Sequence, residues 1–332
     1  MRRIIAISLF LALLWMGWWV VGSTLLERSL TSWIEERQRE GWVAEYSDLS
    51  VRGFPNRFDT RIADLTLADP ATGIAWQAPF FEILQLSYRP NSAILVWPDN
   101  HSFATPWQSV EIQSDRARGS IALRPTPSLE LDRSTVVLDE VVVSSSLGWQ
   151  TALKEARFSV GQAAAPNSYR LGAEMTDLSP ADATIDALNP TGLLPDLIDR
   201  LRLDATLDLT APLDRHVIED ERPQITRIAL DDLSAKWGDA TFRAAGLLDI
   251  DAAGIPEGDI TIRAQEWRRI LDMAVGSGAL AQGFLPLIDS TLELMAGLGG
   301  SPDDLDATLS FRNGRVSFGP IPLGPAPRII LR

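Results

Sequence analysis

His101 and His216 are the only imidazoles in the chain, 115 positions apart, and there is no cysteine. A zinc site needs three or four ligands at close spacing, and a serine–histidine relay needs a histidine to take the proton. Neither histidine has a His or Cys neighbour at ligand spacing. The missing cysteine removes disulfides, thiolate nucleophiles, thiolate zinc sites and iron–sulfur clusters together. No Gly-x-Ser-x-Gly elbow and no Gly-x-x-x-x-Gly-Lys-Ser/Thr loop occurs. Gly276-Ser277-Gly278-Ala279-Leu280-Ala281 imitates a dinucleotide loop, but it follows an expected helix where that loop follows a strand. Asp249 with Asp251, and Asp303, Asp304 and Asp306, do not extend into a calcium loop and read as turns and strand ends. Lys154 and Lys236 are the only lysines, so Schiff-base chemistry has two candidates. The 44 acidic residues offer countless carboxylate pairs and single out none for glycoside hydrolysis. Asn100-His101-Ser102 matches a glycosylation sequon, a short pattern that is trivial if the chain is bacterial. The expectation is no catalytic, metal-binding or cofactor-binding residue and no cofactor. An enzyme ranks third among the readings.

The positive signal is aromatic. Trp76, Phe80, Phe81, Tyr88, Trp97, Phe103 and Trp107 fall within one short stretch. Large rings are ordinarily core. A single-layer sheet, however, has an apolar face that its own strands do not cover. That face either takes the helices of the second half or binds an acyl chain. The candidate lining of such a lipid groove is Trp76, Phe81, Leu84, Leu86, Tyr88 and Trp97.

The elements that hold this surface begin with the N-terminus. After Met1-Arg2-Arg3 come nineteen uncharged residues, Ile4 to Gly22. At ~1.5 Å per residue they reach roughly 28 Å, close to a bilayer's hydrocarbon core. Arg2 and Arg3 mark a cytoplasmic flank, which sets the body across the inner membrane, in the periplasm, behind a single pass. Val20 and Gly22 before Ser23 also fit signal cleavage, whereas the length of the run and Trp15, Trp18 and Trp19 at its end favour a retained anchor. A net charge of −14 argues against nucleic acid and against anionic lipid surfaces as electrostatic partners of the chain as a whole. The partners left are the membrane, a lipid ligand and proteins of the envelope.

Residues 23–41 read as an amphipathic helix with Leu26, Leu30, Trp33 and Ile34 on one stripe and Gly41 as its stop. The stripe packs on the following sheet or lies on the membrane surface, and its acidic polar face favours packing. Residues 42–165 alternate with period two, as an elongated antiparallel β-meander does. Phe58 and Ile62 keep one phase and Leu65 and Leu67 the other, which predicts a bulge near Ala63-Asp64. Further runs lie at Leu84-Leu86-Tyr88, Ile94-Val96, Val110-Ile112, Ile121-Leu123, Leu129-Leu131, Val136-Leu138, Val141-Val143, Phe158-Val160 and Tyr169-Leu171. Residues 166–332 mix strand and helix. Short helices are expected within Pro180–Leu201, further helices over Glu266–Val275 and Ala279–Leu298, and a strand over Leu203–Leu209. Leu305–Phe311 and Val316–Phe318 flank Asn313-Gly314, a type I′ hairpin signature. A Leu-Pro-rich helical stretch feeding a Leu-Asp-Ala-Thr-Leu strand occurs twice, at 194–207 and 285–309. The fold class is mainly β with some α: an N-terminal transmembrane helix (1–22), the helix (23–41), the meander (42–165) and the mixed region (166–332).

Gly53-Phe54-Pro55-Asn56-Arg57-Phe58-Asp59, Trp76-Gln77-Ala78-Pro79-Phe80-Phe81, Ser87-Tyr88-Arg89-Pro90-Asn91 and Asn313-Gly314-Arg315-Val316-Ser317-Phe318-Gly319-Pro320 together resemble the bacterial family named domain of unknown function 2125. The resemblance covers essentially the whole chain and implies no activity or site residue. More loosely, an anchor feeding a β-meander is similar to AsmA-type envelope proteins, which are implicated in lipid handling. The function expected is a membrane-anchored envelope protein that binds or moves lipid along an apolar β groove. The alternative is a structural or assembly factor that recruits protein partners through sheet edges.

Overall fold

The computed structural model describes the whole chain except residues 190, 191, 193, 218–221, 277–292, 294–303, 320 and 332. Among the described residues are eighteen strands and three α-helices, and the strand pairings that build the two units below are antiparallel. The chain divides into two compact units. One holds Met1–Leu123 and Val136–Gly148, the other Arg124–Thr135 and Trp149–Arg332. Residues 165 and 166, where the sequence divides the meander from the mixed region, both lie inside the second unit.

In the first unit, α1 (Arg2–Arg39) is one unbroken helix that joins the expected anchor to the expected amphipathic segment. It ends at Glu40, with Gly41 at φ +92°. Its inward stripe runs Ser23, Leu26, Leu30, Ile34 at helical spacing, with Ser23 and Ile34 buried (Ile34 2% exposed) and the two leucines half-buried, while Trp33, expected on the stripe, stands off it and is exposed. Removing an isoleucine side chain from water contributes about 1.5–3 kcal/mol. The stripe meets β1 (Val43–Glu45) and β2 (Asp48–Arg52), so it packs on the sheet.

Strands β1 and β2 lie end to end along β3 (Arg57–Asp69), which pairs with β4 (Ile74–Leu86) through a turn closed by Asp69 and Gly73. Along β4 run β5 (Arg89–Trp97) at one end and β6 (Asn100–Ala104) at the other. Next to these lie β8 (Arg116–Leu123) and β7 (Ser109–Gln113), and β7 pairs with β9 (Leu131–Ser145).

A crease crosses these strands. Phe58, Thr60 and Ile62 are buried on β3, then Leu65, so the inward phase changes at Ala63-Asp64. Asp64 takes φ +49° and stands opposite Pro79, which has no N–H for the ladder. The predicted irregularity is present, but the register on either side of it is unbroken, because β4 changes phase too. The line continues through the β5–β6 break at Pro98-Asp99 and the β7–β8 break at Ser114-Asp115 to Glu140, at φ +47°. Ser114 N–H donates to Asp99 C=O and Asp115 N–H to Asp139 C=O, each 2.8 or 3.1 Å across the line. Two expected strands, Val136-Leu138 and Val141-Val143, are therefore one strand kinked at Glu140.

The second unit is a meander of β10 (Gln150–Gln162), β11 (Ser168–Leu178), β12 (Ile198–Leu209), β13 (Ile225–Trp237), β14 (Ala240–Ile250), β15 (Pro256–Gln265), β16 (Asp304–Arg312) and β17 (Arg315–Phe318), followed by β18 (Ile321–Pro325) on β17. Asn313 and Gly314 turn the β16–β17 hairpin at φ +51° and +70°, as read from the sequence. Helices α2 (Asp182–Leu188) and α3 (Trp267–Gly276) cover part of the apolar face. Trp267, 1% exposed, is packed with Ala264, Leu271, Leu305 and Ala307. The opposite face is a lattice of cross-strand ion pairs: Arg170–Asp204, Arg227–Asp249, Arg263–Asp306 and Arg312–Asp259. Three expectations change. Helix within Pro180–Leu201 shrinks to α2, because Ile198 already begins β12. Leu129 sits in a turn at φ +54°, and Tyr88 lies past the end of β4. The helix expected over 279–298, with the second copy's Leu-Pro segment at 285–289, lies outside the described residues apart from Glu293.

Candidate functional site

Side chains directly opposite in an antiparallel ladder share a face, so register sorts the first unit's sheet. Ile62 faces Phe81, Thr60 faces Ile83, Leu67 faces Trp76, and Trp76 in turn faces Phe103. Phe81 and Trp97 bring their ring centroids to 5.6 Å, and Trp76 and Phe81 also to 5.6 Å, edge to face. Trp76 and Phe81 are five residues apart, about 16 Å along a straight strand. Their contact therefore requires the ladder to bend inward at the crease. His101 extends the row, its ring 6.4 Å from Trp76. The result is a line Trp97–Phe81–Trp76–His101 on one face, each member half-buried. Trp97 lies over Gly119, where a Cβ would come within 3.0 Å of the indole.

Burial holds the His101 imidazole below its ordinary pKa, partly offset by the Pro98 carbonyl, 3.3 Å from Nδ1. The neutral ring suits an apolar row. No group of three or more metal-ligating side chains occurs among the described residues.

Three of the six sequence-designated lining residues thus lie together: Trp76, Phe81 and Trp97. Leu84 and Leu86 have the other parity. They share the opposite face with Glu82 and Phe80, where the Arg61 guanidinium pairs with Glu82 and stands 4.3 Å from the Phe80 ring centroid. Tyr88, 56% exposed, lies in the turn between β4 and β5. Sequence reading did not designate His101 or Phe103 for the row. The parity change at Pro79 was the available signal, since proline interrupts a ladder. The crease also forms an open cleft of about 600 Å³ of mixed character, lined by polar Thr66, Gln77 and Ser102 together with apolar Leu65, Ala78 and Ile112.

The apolar row continues the face that α1 covers over β1–β3. Where helix meets sheet, three indoles of α1 donate to backbone carbonyls: Trp15 to Pro55 (3.0 Å), Trp18 to Ser87 (3.3 Å) and Trp19 to Arg57 (2.7 Å). Trp19 also stacks edge-on against Phe54, at 5.4 Å. The Gly-Phe-Pro-Asn-Arg-Phe segment is accordingly the corner that receives the helix. Gly53 turns at φ +102°, and Asn56 C=O accepts from Ser87 N–H at 2.9 Å. The N-terminal part of α1 is apolar enough and long enough to cross a membrane.

A family model described as an uncharacterized protein conserved in bacteria, DUF2125, matches residues 19–327. The chain belongs to that family. The DUF2125 match begins at Trp19 and so includes the corner, the aromatic row and the second unit. No curated protein and no solved structure matches the chain.

Proposed function

We propose that this DUF2125 protein is a non-enzymatic envelope protein, held by α1 in the inner membrane with its body in the periplasm, and that it binds the acyl chain of a lipid along the first unit's apolar face. The observation that carries the reading is the half-buried row Trp97–Phe81–Trp76, on the face that α1 covers only at β1–β3. Rings that a helix or a second layer covered would be expected to lose nearly all their exposure, and these do not. The positive flank at Arg2 and Arg3 supports the orientation.

Extraction and mass spectrometry of the purified full chain test the reading. Phospholipid is expected to co-purify and to be depleted by Phe81→Asp or Trp76→Ser. Leu84→Asp, on the other face, is expected to leave it in place. Circular dichroism checks that each variant is folded. A lipid-free wild type, or equal depletion by all three variants, overturns the groove. The lipid-free outcome favours the other class of function, an assembly factor recruiting protein partners through its sheet edges.

A further inference from the structure

The corner that receives α1 is fixed at an unusual height on the helix. Trp15 is the first residue to bond it, and only Ile4–Leu14 precede it in the apolar run. Eleven helical residues rise roughly 17 Å, against a hydrocarbon core of about 30 Å. Tilting α1 shortens the reach further, and bilayer thinning supplies only a few ångströms. The remaining depth must be filled by the part of the helix to which the corner is already bonded.

The corner's chemistry suits that depth. The carbonyls of Pro55, Arg57 and Ser87 are taken up by the three indoles, that of Gly53 by Arg57 N–H and that of Asn56 by Ser87 N–H, so these five acceptors do not need water. Phe54, Leu86 and Tyr88 point outward from the same turns, 53%, 37% and 56% exposed. Beside them stand Arg52 and Arg89, which make no ion pair among the described residues. In a chain of net charge −14 this corner is locally basic and apolar, the pairing that amphipathic rings and guanidinium groups bring to a phospholipid interface.

We infer that the turns Gly53–Arg57 and Leu86–Arg89 are seated in the body-side leaflet of the membrane that α1 crosses. Phe54, Leu86 and Tyr88 lie among acyl chains, and Arg52 and Arg89 lie at the phosphates of glycerophospholipids. The inference rests on α1 being a retained anchor, and it sets one end of β3 and β4 in contact with lipid.

The chain has no cysteine, so single substitutions give unique labelling sites. Full-length Phe10→Cys, Phe54→Cys, Tyr88→Cys and Trp107→Cys variants, each carrying an environment-sensitive fluorophore, are reconstituted into phosphatidylethanolamine/phosphatidylglycerol vesicles. Because the corner's acceptors are backbone carbonyls, labels at 54 and 88 leave the three indole hydrogen bonds in place, and the label at 88 also keeps the Trp19–Phe54 ring contact. Position 107 is the control, in the turn beyond the far end of β6. Labels at 10, 54 and 88 are expected to lose emission to doxyl lipids and resist iodide, and the label at 107 to do the reverse. If position 10 is quenched by lipid while 54 and 88 are quenched by iodide, the leaflet-seated corner is overturned and the anchor stands. If position 10 is itself open to iodide, the anchor reading fails and the corner falls with it.

Discussion

A Cβ placed on Gly22 would lie 2.6 Å from Cζ of Phe58, so the last residue of the apolar run fits the sheet only as glycine. The Phe58 ring cannot readily yield, being 5% exposed and 6.2 Å from Trp19 on another side. Gly22→Leu should therefore overpack the contact and cost about 1–3 kcal/mol. Gly17 has nothing within 4 Å, so Gly17→Ala should gain the helix preference for alanine, about 1 kcal/mol, at no steric cost. Thermal melting of both variants in micelles should show opposite shifts. Equal behaviour would mean that α1 does not dock at Gly22.

What the sequence disclosed follows from range. Strand periodicity, the Asn313-Gly314 turn and the Ala63-Asp64 phase change depend on neighbours a few residues apart, and all were legible. The docking of Trp15, Trp18 and Trp19 spans 38 to 69 positions and was not. As a sequence feature those rings read only as interfacial. Leu84 and Leu86 belong with Phe81 by strand membership alone. The parity change at Pro79 put Trp76 and Phe81 on one face, and Leu84, three residues from Phe81, on the other. Parity carried across a break needs the partner strand.

Asp64 tests the crease. It holds φ +49°, and its carboxylate accepts the Ser47 hydroxyl at 2.6 Å. A β-branched residue is strained in that conformation by roughly 1–3 kcal/mol, whereas glycine and asparagine enter it readily. Urea denaturation should rank Asp64→Val well below Asp64→Asn and Asp64→Gly. A valine variant as stable as the wild type would show that the positive φ is not required.

His101 predicts a pH dependence near neutrality. Burial lowers its folded-state pKa below the ordinary 6.5, so the unfolded chain takes up the proton first as pH falls. The stabilisation is complete above about pH 6.5 and declines as pH falls below it toward the lowered folded value. His101→Phe keeps an aromatic ring in the row and removes the titration. Melting temperatures measured from neutral to mildly acid pH should fall in the wild type and stay flatter in the variant. Parallel profiles would place the acid sensitivity elsewhere.

Arg170 and Asp204 give a second acid-labile contribution of the same sign, at lower pH, in the second unit. Arg170 grips the carboxylate with Nε at 2.8 Å and Nη2 at 2.6 Å, a two-point bond between β11 and β12. The Arg170 hydrogen bond is the chief cause of the Asp204 pKa lying below its ordinary 3.8, with the charges of Arg170 and Arg202 adding to it. A depressed carboxyl contributes stability that is present above the unfolded pKa and is lost as pH falls through the folded one. The acid loss therefore begins below about pH 4, well separated from that of His101. Arg170→Gln should lower the urea midpoint at pH 6 modestly, as surface pairs do, and shrink the drop between pH 6 and pH 3. Arg170→Lys keeps the charge but not the fork, and should restore only part of the drop. If wild type and Arg170→Gln lose the same stability between those two pH values, the pair contributes nothing to the acid limb. In that case the cross-strand lattice orders the polar face without stabilising it.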